Sequence, residues 1–246
     1  MAALKACSAL VTGANQGLGL EMVKQLLEAR CSNIFAACRD PDGPNSEALR
    51  ELAKKHPGVV TLVQLDVADP CIIKESAKKV GSLLGKNGLN LLVNNAAVLP
   101  QKTMLTATAE DMQNTFNTNV IGPLFVIREY LPYLRMAAKA SAVINISTDA
   151  ASMTIMPVLK EPFPLFPYSI SKAGLNMLTI YTARDLKADE ILCISIHPGW
   201  VKTDMGGDRA PIDTRESVEG VFRVIGSLTE KQHGGFLDYT GKTMPL

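Results

Sequence analysis

"SALVTGANQGLGLEMVKQLLEA", residues 8–29, passes from one hydrophobic period to another across three glycines. Ser8–Thr12 reads as a buried strand, and Leu18–Ala29 has the spacing of a helix. Between them Gly13 permits a tight turn, Gly17 permits close approach of a ligand, and Gly19 permits the helix to pack on the strand. The helix start then offers free N–H groups to an anion, with Asn15 and Leu18 in the same turn. The spacing is G-x-x-x-G-x-G, so the turn alone is a moderate signal of dinucleotide binding.

Working outward, the same alternation repeats. Strand-like runs occur at Asn33–Cys38, Val59–Asp66, Leu89–Asn94, Ala142–Ser147 and Leu192–His197, with a last short one around Gly235–Asp238. Helical patterns fill the gaps at Ser46–Lys55, Pro70–Leu84, Met112–Met136, Tyr168–Lys187 and Arg215–Leu228. The strands are almost wholly apolar, as strands covered on both faces must be. The rhythm predicts an α/β fold with a doubly wound parallel sheet, a Rossmann fold in a single domain over residues 1–246. Ligands of such sheets bind at the carboxyl ends of the strands, so the residues after each strand carry the information.

Arg39 follows the second strand, where an acidic residue would bind a ribose 2′-hydroxyl and repel a 2′-phosphate. A guanidinium takes a phosphate bidentately, which favours NADPH over NADH, although Asp40 is adjacent and an exposed arginine is ordinary surface. Asp66 and Val67 follow the third strand, suited to the adenine, and Asp69 before Pro70 is the better helix cap. Asn94 and Ala96 after the fourth strand let the chain lie against the cofactor. Ser147 and Thr148 end the fifth strand with two hydroxyls. Pro198, Gly199, Trp200, Val201, Thr203 and Met205 follow the sixth. Trp200 and Met205 suit an apolar substrate, with ordinary core packing as the competing explanation for the tryptophan.

Tyr168 and Lys172, in "YSISK", lie one helical turn apart on one face. No other tyrosine in the chain has a lysine four residues on. An ammonium beside a phenol favours the phenolate and so lowers the phenol's pKa from its usual value of about 10.

Bulk properties bound the alternatives. The chain has 246 residues, 47% of them hydrophobic, and a formal net charge of +1. That charge gives no reason to expect nucleic acid or an anionic membrane as a partner. No apolar run reaches the roughly 18 residues that span a bilayer. The rapid entry into a strand suggests no secretory leader, and a cytoplasmic location is expected. The five cysteines (Cys7, Cys31, Cys38, Cys71 and Cys193) are odd in number and form no C-x-x-C, so free thiols are expected and no metal site.

"TGANQGLG", "NNAAV", "NTNV", "NIST", "YSISK" and "HPGWVKTD" occur in the order seen in short-chain dehydrogenases/reductases, over nearly the whole chain. Within that family the sequence resembles the cytosolic carbonyl reductases of the sniffer type. The resemblance implies an NADPH-dependent oxidoreductase that transfers hydride to aldehydes, ketones or quinones, with Tyr168 as proton donor and Lys172 as its partner and ribose ligand. Asn119 is implied to hold a water for proton resupply. The residue that orients the carbonyl is implied to be Thr148, with Ser147 as the other candidate, because a Ser-Thr pair stands where the family has Ser-Ser. Thr203 is implied to hold the nicotinamide carboxamide. Segments 149–167 and 199–213 are expected to be substrate loops, with Phe166, Phe163, Leu165 and Met153 suited to a flat apolar substrate. The family's pairing through the helices around Met112–Met136 and Tyr168–Lys187 implies a homodimer. Two other functions fit the same fold: an NAD-dependent steroid or retinoid alcohol dehydrogenase, and a non-catalytic NADP(H)-sensing protein.

Overall fold

The computed structural model of the chain describes residues 8–137, 141–159 and 164–246. Seven parallel strands form one sheet: β1 (Ser8–Thr12), β2 (Asn33–Cys38), β3 (Val60–Gln64), β4 (Leu91–Asn94), β5 (Ala142–Ile146), β6 (Leu192–His197) and β7 (Phe236–Asp238). Their spatial order is β3-β2-β1-β4-β5-β6-β7, so the chain reverses its direction of travel between β1 and β4. The helices are α1 (Gly17–Glu28), α2 (Glu47–Lys55), α3 (Pro70–Leu84), α4 (Ala109–Phe116), α5 (Gly122–Met136), α6 (Phe166–Asp185) and α7 (Thr214–Gly226).

The period of two along each strand divides the core into two layers. Ala9, Val11 and Ile144 point to one face, where Met22, Val23 and Leu26 of α1 meet Val218 and Val221 of α7. Leu10, Leu92 and Val143 point to the other, against Ile73 of α3 and Val126, Tyr130 and Leu134 of α5. Tyr130 is fully buried, and its hydroxyl is satisfied by Ser76 Oγ at 2.9 Å.

A polar ladder crosses the apolar interior. Asn94 Nδ2 donates to Asn145 Oδ1 at 2.9 Å, and Asn145 Nδ2 donates to Thr179 Oγ1 at 2.8 Å. Thr179 Oγ1 in turn lies 2.8 Å from Ser195 Oγ and donates to the Leu175 carbonyl. The ladder joins β4, β5, α6 and β6.

The expected helix Met112–Met136 is interrupted. A wider π turn at Asn117–Ile121 separates α4 from α5. Pro123 has no N–H to donate to the Asn119 carbonyl four residues back, and its ring would crowd that carbonyl in a regular helix. Phe116, Ile170, Met177 and Tyr181 leave apolar surface exposed on the outer sides of α4 and α6.

Cys38, Cys71 and Cys193 are free thiols. Cys31 is disulfide-bonded, contrary to the expectation of free thiols, and Cys7 lies outside the described residues. Among the described residues no helix is long and apolar enough to cross a membrane, and no cluster of side chains could hold a metal ion.

Two substitutions separate core packing from helix capping. Ile144→Ala, in the middle of β5 between β4 and β6, should cost about 2–5 kcal/mol in urea unfolding. Asp69 accepts the Cys71 and Ile72 N–H groups at the start of α3, and Asp69→Ala should cost about 1 kcal/mol.

Candidate active site

The carboxyl ends of β1, β2, β4, β5 and β6 open into one cleft of about 620 Å³. The reversal between β1 and β4 creates it, because loops leaving these two strands diverge to opposite faces of the sheet. Thr12 Oγ1 accepts the N–H groups of Asn95 and Ala96, each at 3.0 Å, while Asn95 Nδ2 donates to the Thr12 carbonyl at 2.9 Å. These bonds clamp the two diverging turns together. Gly13 has φ +63°, and a Cβ there would press on the Ala96 Cα. A Cβ on Gly19 would collide with the Gly13 carbonyl, so Gly19 serves the packing of α1 on β1.

At the start of α1, Gln16 makes no side-chain cap and the first turn carries no acid, leaving the terminal N–H groups to the cleft. Gly13, Asn15, Gly17 and Leu18 line this end. Arg39 lines it too; it is exposed and forms no ion pair or hydrogen bond among the described residues. Arg50 anchors the loop that follows by donating to the Pro41 and Gly43 carbonyls. Asp66, Val67 and Ala96 continue the wall. One oxygen of Asp66 accepts the Ala68 N–H at 2.9 Å.

The other end is built by β5, β6 and α6. Ser147, Thr148, Tyr168, Lys172, Pro198, Gly199, Trp200, Val201, Thr203 and Met205 all line it. Trp200 Nε1 donates to the Gly206 carbonyl at 2.7 Å, which fixes the indole as a wall. Thr203 Oγ1 accepts the Gly206 N–H at 3.1 Å and so braces the same loop.

Five expected site residues stand elsewhere. Asn94 is buried in the polar ladder, and its neighbour Asn95 lines the cleft in its place. Gly19 lies beneath the helix start. Asn119 is fully buried: its Oδ1 accepts the Val98 N–H, and its Nδ2 donates to the Val98 carbonyl and to Ser171 Oγ, all at 2.9 Å. Both amide protons of that side chain are used within the protein, and its Oδ1 keeps one lone pair. Phe166 is exposed and not part of the cleft lining, and Leu165 occupies the wall with Tyr168. Met153 is largely exposed and also absent from the wall, while Phe163 lies outside the described residues. Asp149 and His197 line the cleft and were not singled out by the sequence. The only signal for either was its position at a strand's carboxyl end.

The hydroxyl protons of Ser147 and Thr148 are both engaged. Ser147 donates to Asn176 Oδ1 at 2.7 Å, and Thr148 donates to Asp149 Oδ1 at 3.1 Å. The Tyr168 hydroxyl has no hydrogen-bond partner among the described residues. Lys172 is 2% exposed, and its Nζ donates to the Ile146 carbonyl at 2.6 Å. The same nitrogen lies 5.7 Å from the centroid of the Tyr168 ring.

The expected acidification of the phenol is absent from this geometry. Burial, and secondarily the charge of Asp149, push the Tyr168 phenol above its usual range. Burial pulls the Lys172 amine down to about 7, so near neutral pH it carries only part of its charge. His197 is held below its usual value by burial, against the opposing pull of Asp149 and Asp238.

The depressed lysine has a stability consequence with a definite sign. Between about pH 7 and 10 the unfolded chain holds this proton and the folded chain does not, so the lysine's burial penalty eases as pH rises. Relative to Lys172→Met, the wild-type chain should gain roughly 1.4 kcal/mol of unfolding free energy per unit from pH 7 to 9, measured by urea titration.

Comparison with known proteins agrees with this architecture. The family model described as short chain dehydrogenase matches residues 8–212. An uncharacterised oxidoreductase of Schizosaccharomyces pombe is 29% identical over 254 residues, covering 96% of each chain. The NADPH-bound carbonyl reductase from chicken fatty liver superposes with a TM-score of 0.95 at 41% identity, covering 98% of this chain and all of that one (100%). The carbonyl reductase Sniffer of Drosophila melanogaster gives 0.91 at 32% identity, with coverage of 98% and 100%. From its β1 glycine turn to the loop after β6, the chain is an oxidoreductase of the short-chain dehydrogenase family.

Proposed function

We propose that the protein is an NADPH-dependent carbonyl reductase in which Tyr168 delivers the proton. The observation that carries this reading is the Tyr168 hydroxyl, unpartnered in the cleft, one helical turn from a buried lysine. The carbonyl reductases of chicken and Drosophila, matched over nearly the full chain, support the substrate class.

The residues present fit a pyridine dinucleotide phosphate. The uncapped start of α1 and the close approach at Gly13 and Gly17 suit a pyrophosphate. Arg39, without an ion pair among the described residues, suits a 2′-phosphate, although Asp40 lines the cleft beside it. Lys172 uses one of its three donors on the Ile146 carbonyl, which leaves two for a ribose hydroxyl and for the phenol. Thr203 and Val201 border the part of the cleft suited to the carboxamide. When bound, NADPH supplies the hydride.

The chain's own contribution is orientation and a proton. The raised phenol stays protonated at neutral pH, so Tyr168 is competent as an acid. Once it has given its proton to the carbonyl oxygen, the remaining phenolate gains from any charge on Lys172. Thr148 is the better candidate to steady the carbonyl. Its bond to Asp149 is long at 3.1 Å, whereas Ser147 is held by Asn176 at 2.7 Å within the interior. The expected substrate loops contribute Leu165 on one side and Trp200 and Met205 on the other, residues 160–163 of segment 149–167 lying outside those described. The exposed apolar side chains on α4 and α6 support subunit pairing through those helices.

The test is NADPH consumption with a panel of quinones, aryl aldehydes and ketones. Tyr168→Phe should lower kcat by about a hundredfold or more, with cofactor binding retained. Undiminished turnover in that variant would remove Tyr168 from its role. Arg39→Asp should lower kcat/KM for NADPH and raise it for NADH, by about tenfold in their ratio. A wild-type preference for NADH would favour the alcohol dehydrogenase reading instead.

A further inference from the structure

Asp149 stands on the turn after β5, in the wall of the cleft beside Thr148 and Tyr168. Its side chain is 29% exposed, so it is neither free in solvent nor shut away. Three bonds fix it. Its Oδ1 accepts the Thr148 hydroxyl at 3.1 Å and the Ala150 N–H at 2.8 Å, and its own N–H donates to His197 Nδ1 at 3.2 Å.

The last bond also fixes the state of the histidine. An Nδ1 that accepts must be unprotonated, so His197 is neutral in this arrangement and carries its proton on Nε2, 3.7 Å from Asp149 Oδ2. It therefore offers the carboxylate a dipole and no countercharge. Lys172, also in the cleft wall, is a cationic candidate among the described residues, and its amine is buried and bonded to the Ile146 carbonyl. Arg39 follows β2, which is three strand spacings from β5 in the sheet, roughly 14 Å away. Among the described residues, the end of the cleft where the carbonyl would lie thus presents a fixed, poorly compensated negative charge.

On the reductase reading above, we propose that Asp149 is a specificity-determining residue that makes the site accept neutral and cationic carbonyl compounds and reject those bearing a carboxylate. A fixed charge in a partly desolvated cleft repels a like charge on a bound substrate, and salt screens such a pair poorly. Specificity built this way works by excluding the wrong class. The side chains of Trp200, Met205 and Leu165 in this wall are apolar and indifferent to charge; Asp204 also lines the cleft, on the loop after β6, whereas Asp149 stands beside Thr148 and Tyr168.

The experiment measures kcat/KM of the full chain with NADPH for para-carboxybenzaldehyde, its methyl ester and para-trimethylammonio-benzaldehyde. The wild-type protein should disfavour the carboxylate by about tenfold or more against the ester. Asp149→Asn should shift the acid-to-ester ratio toward the acid by about tenfold, and Asp149→Glu should retain the wild-type ratio. Comparing one pair of substrates across variants cancels the intrinsic reactivity of their carbonyls. A wild-type protein that reduces the acid as readily as the ester overturns the proposal, and so does an Asn variant with an unchanged ratio. Should Asp149→Asn fail to fold, Asp149→Ser and the wild-type series decide in the same way. Absence of turnover on every aldehyde would sink the reductase reading and this one together, whereas turnover blind to charge sinks this one alone.

Discussion

The hydroxyl of Thr12 accepts two backbone N–H groups from the turn after β4, and the Asn95 amide returns a bond to the Thr12 carbonyl. These few bonds cross the one place where the chain reverses direction in the sheet. Loops leaving β1 and β4 would otherwise part without touching, and both turns would present unpaired backbone to the cleft. With the clamp in place, the glycine turn and the Asn95–Val98 segment form one wall. That wall orients the start of α1, and through the Asn119 side chain bonded to Val98 it also reaches Ser171 on α6. Ser171 Oγ donates to the Tyr168 carbonyl at 2.7 Å, so the anion end and the proton-donating end share one connected frame.

The strands were readable from sequence because a parallel sheet covered on both faces demands unbroken apolar runs, and β1, β2 and β6 match their expected limits. The glycine turn and the Tyr-Lys pair were readable because each requires particular residue types at fixed offsets. What escaped is set by geometry without a sequence period. Asn94 and Asn95 are chemically identical, and only the alternation at the end of β4 decides which enters the ladder and which lines the cleft. Leu165 and Phe166 were both expected to meet an apolar substrate, and at the start of α6 Leu165 lines the cleft while Phe166 does not. The break at Asn117–Ile121 was hidden because the apolar pattern runs through it, although Pro123 carried the clue. Asp149 and His197 lie far apart in sequence and meet only when β5 and β6 pair.

Burial explains both titration anomalies of the site. Lys172 is buried and Tyr168 half-buried in the cleft wall, and desolvation drives each toward its neutral form. A neutral phenol beside a partly neutral amine is a resting arrangement: the proton is present, and the charge that would draw it off is held back. The charge of Asp149, on the turn after β5, reinforces that state at the phenol.

The polar ladder from Asn94 through Asn145 and Thr179 to Ser195 has a mechanical meaning. Apolar side chains of equal volume would hold α6 against the sheet equally firmly, yet contact area varies little when a helix slides along its axis. Directional bonds do not tolerate that slide. Displacement of α6 by one residue, about 1.5 Å, would break the Asn145–Thr179 and Thr179–Ser195 links together and strand their polar atoms in a dry interior. The ladder thus works as a vernier, and it sets the height at which the phenol and the amine meet whatever occupies the cleft.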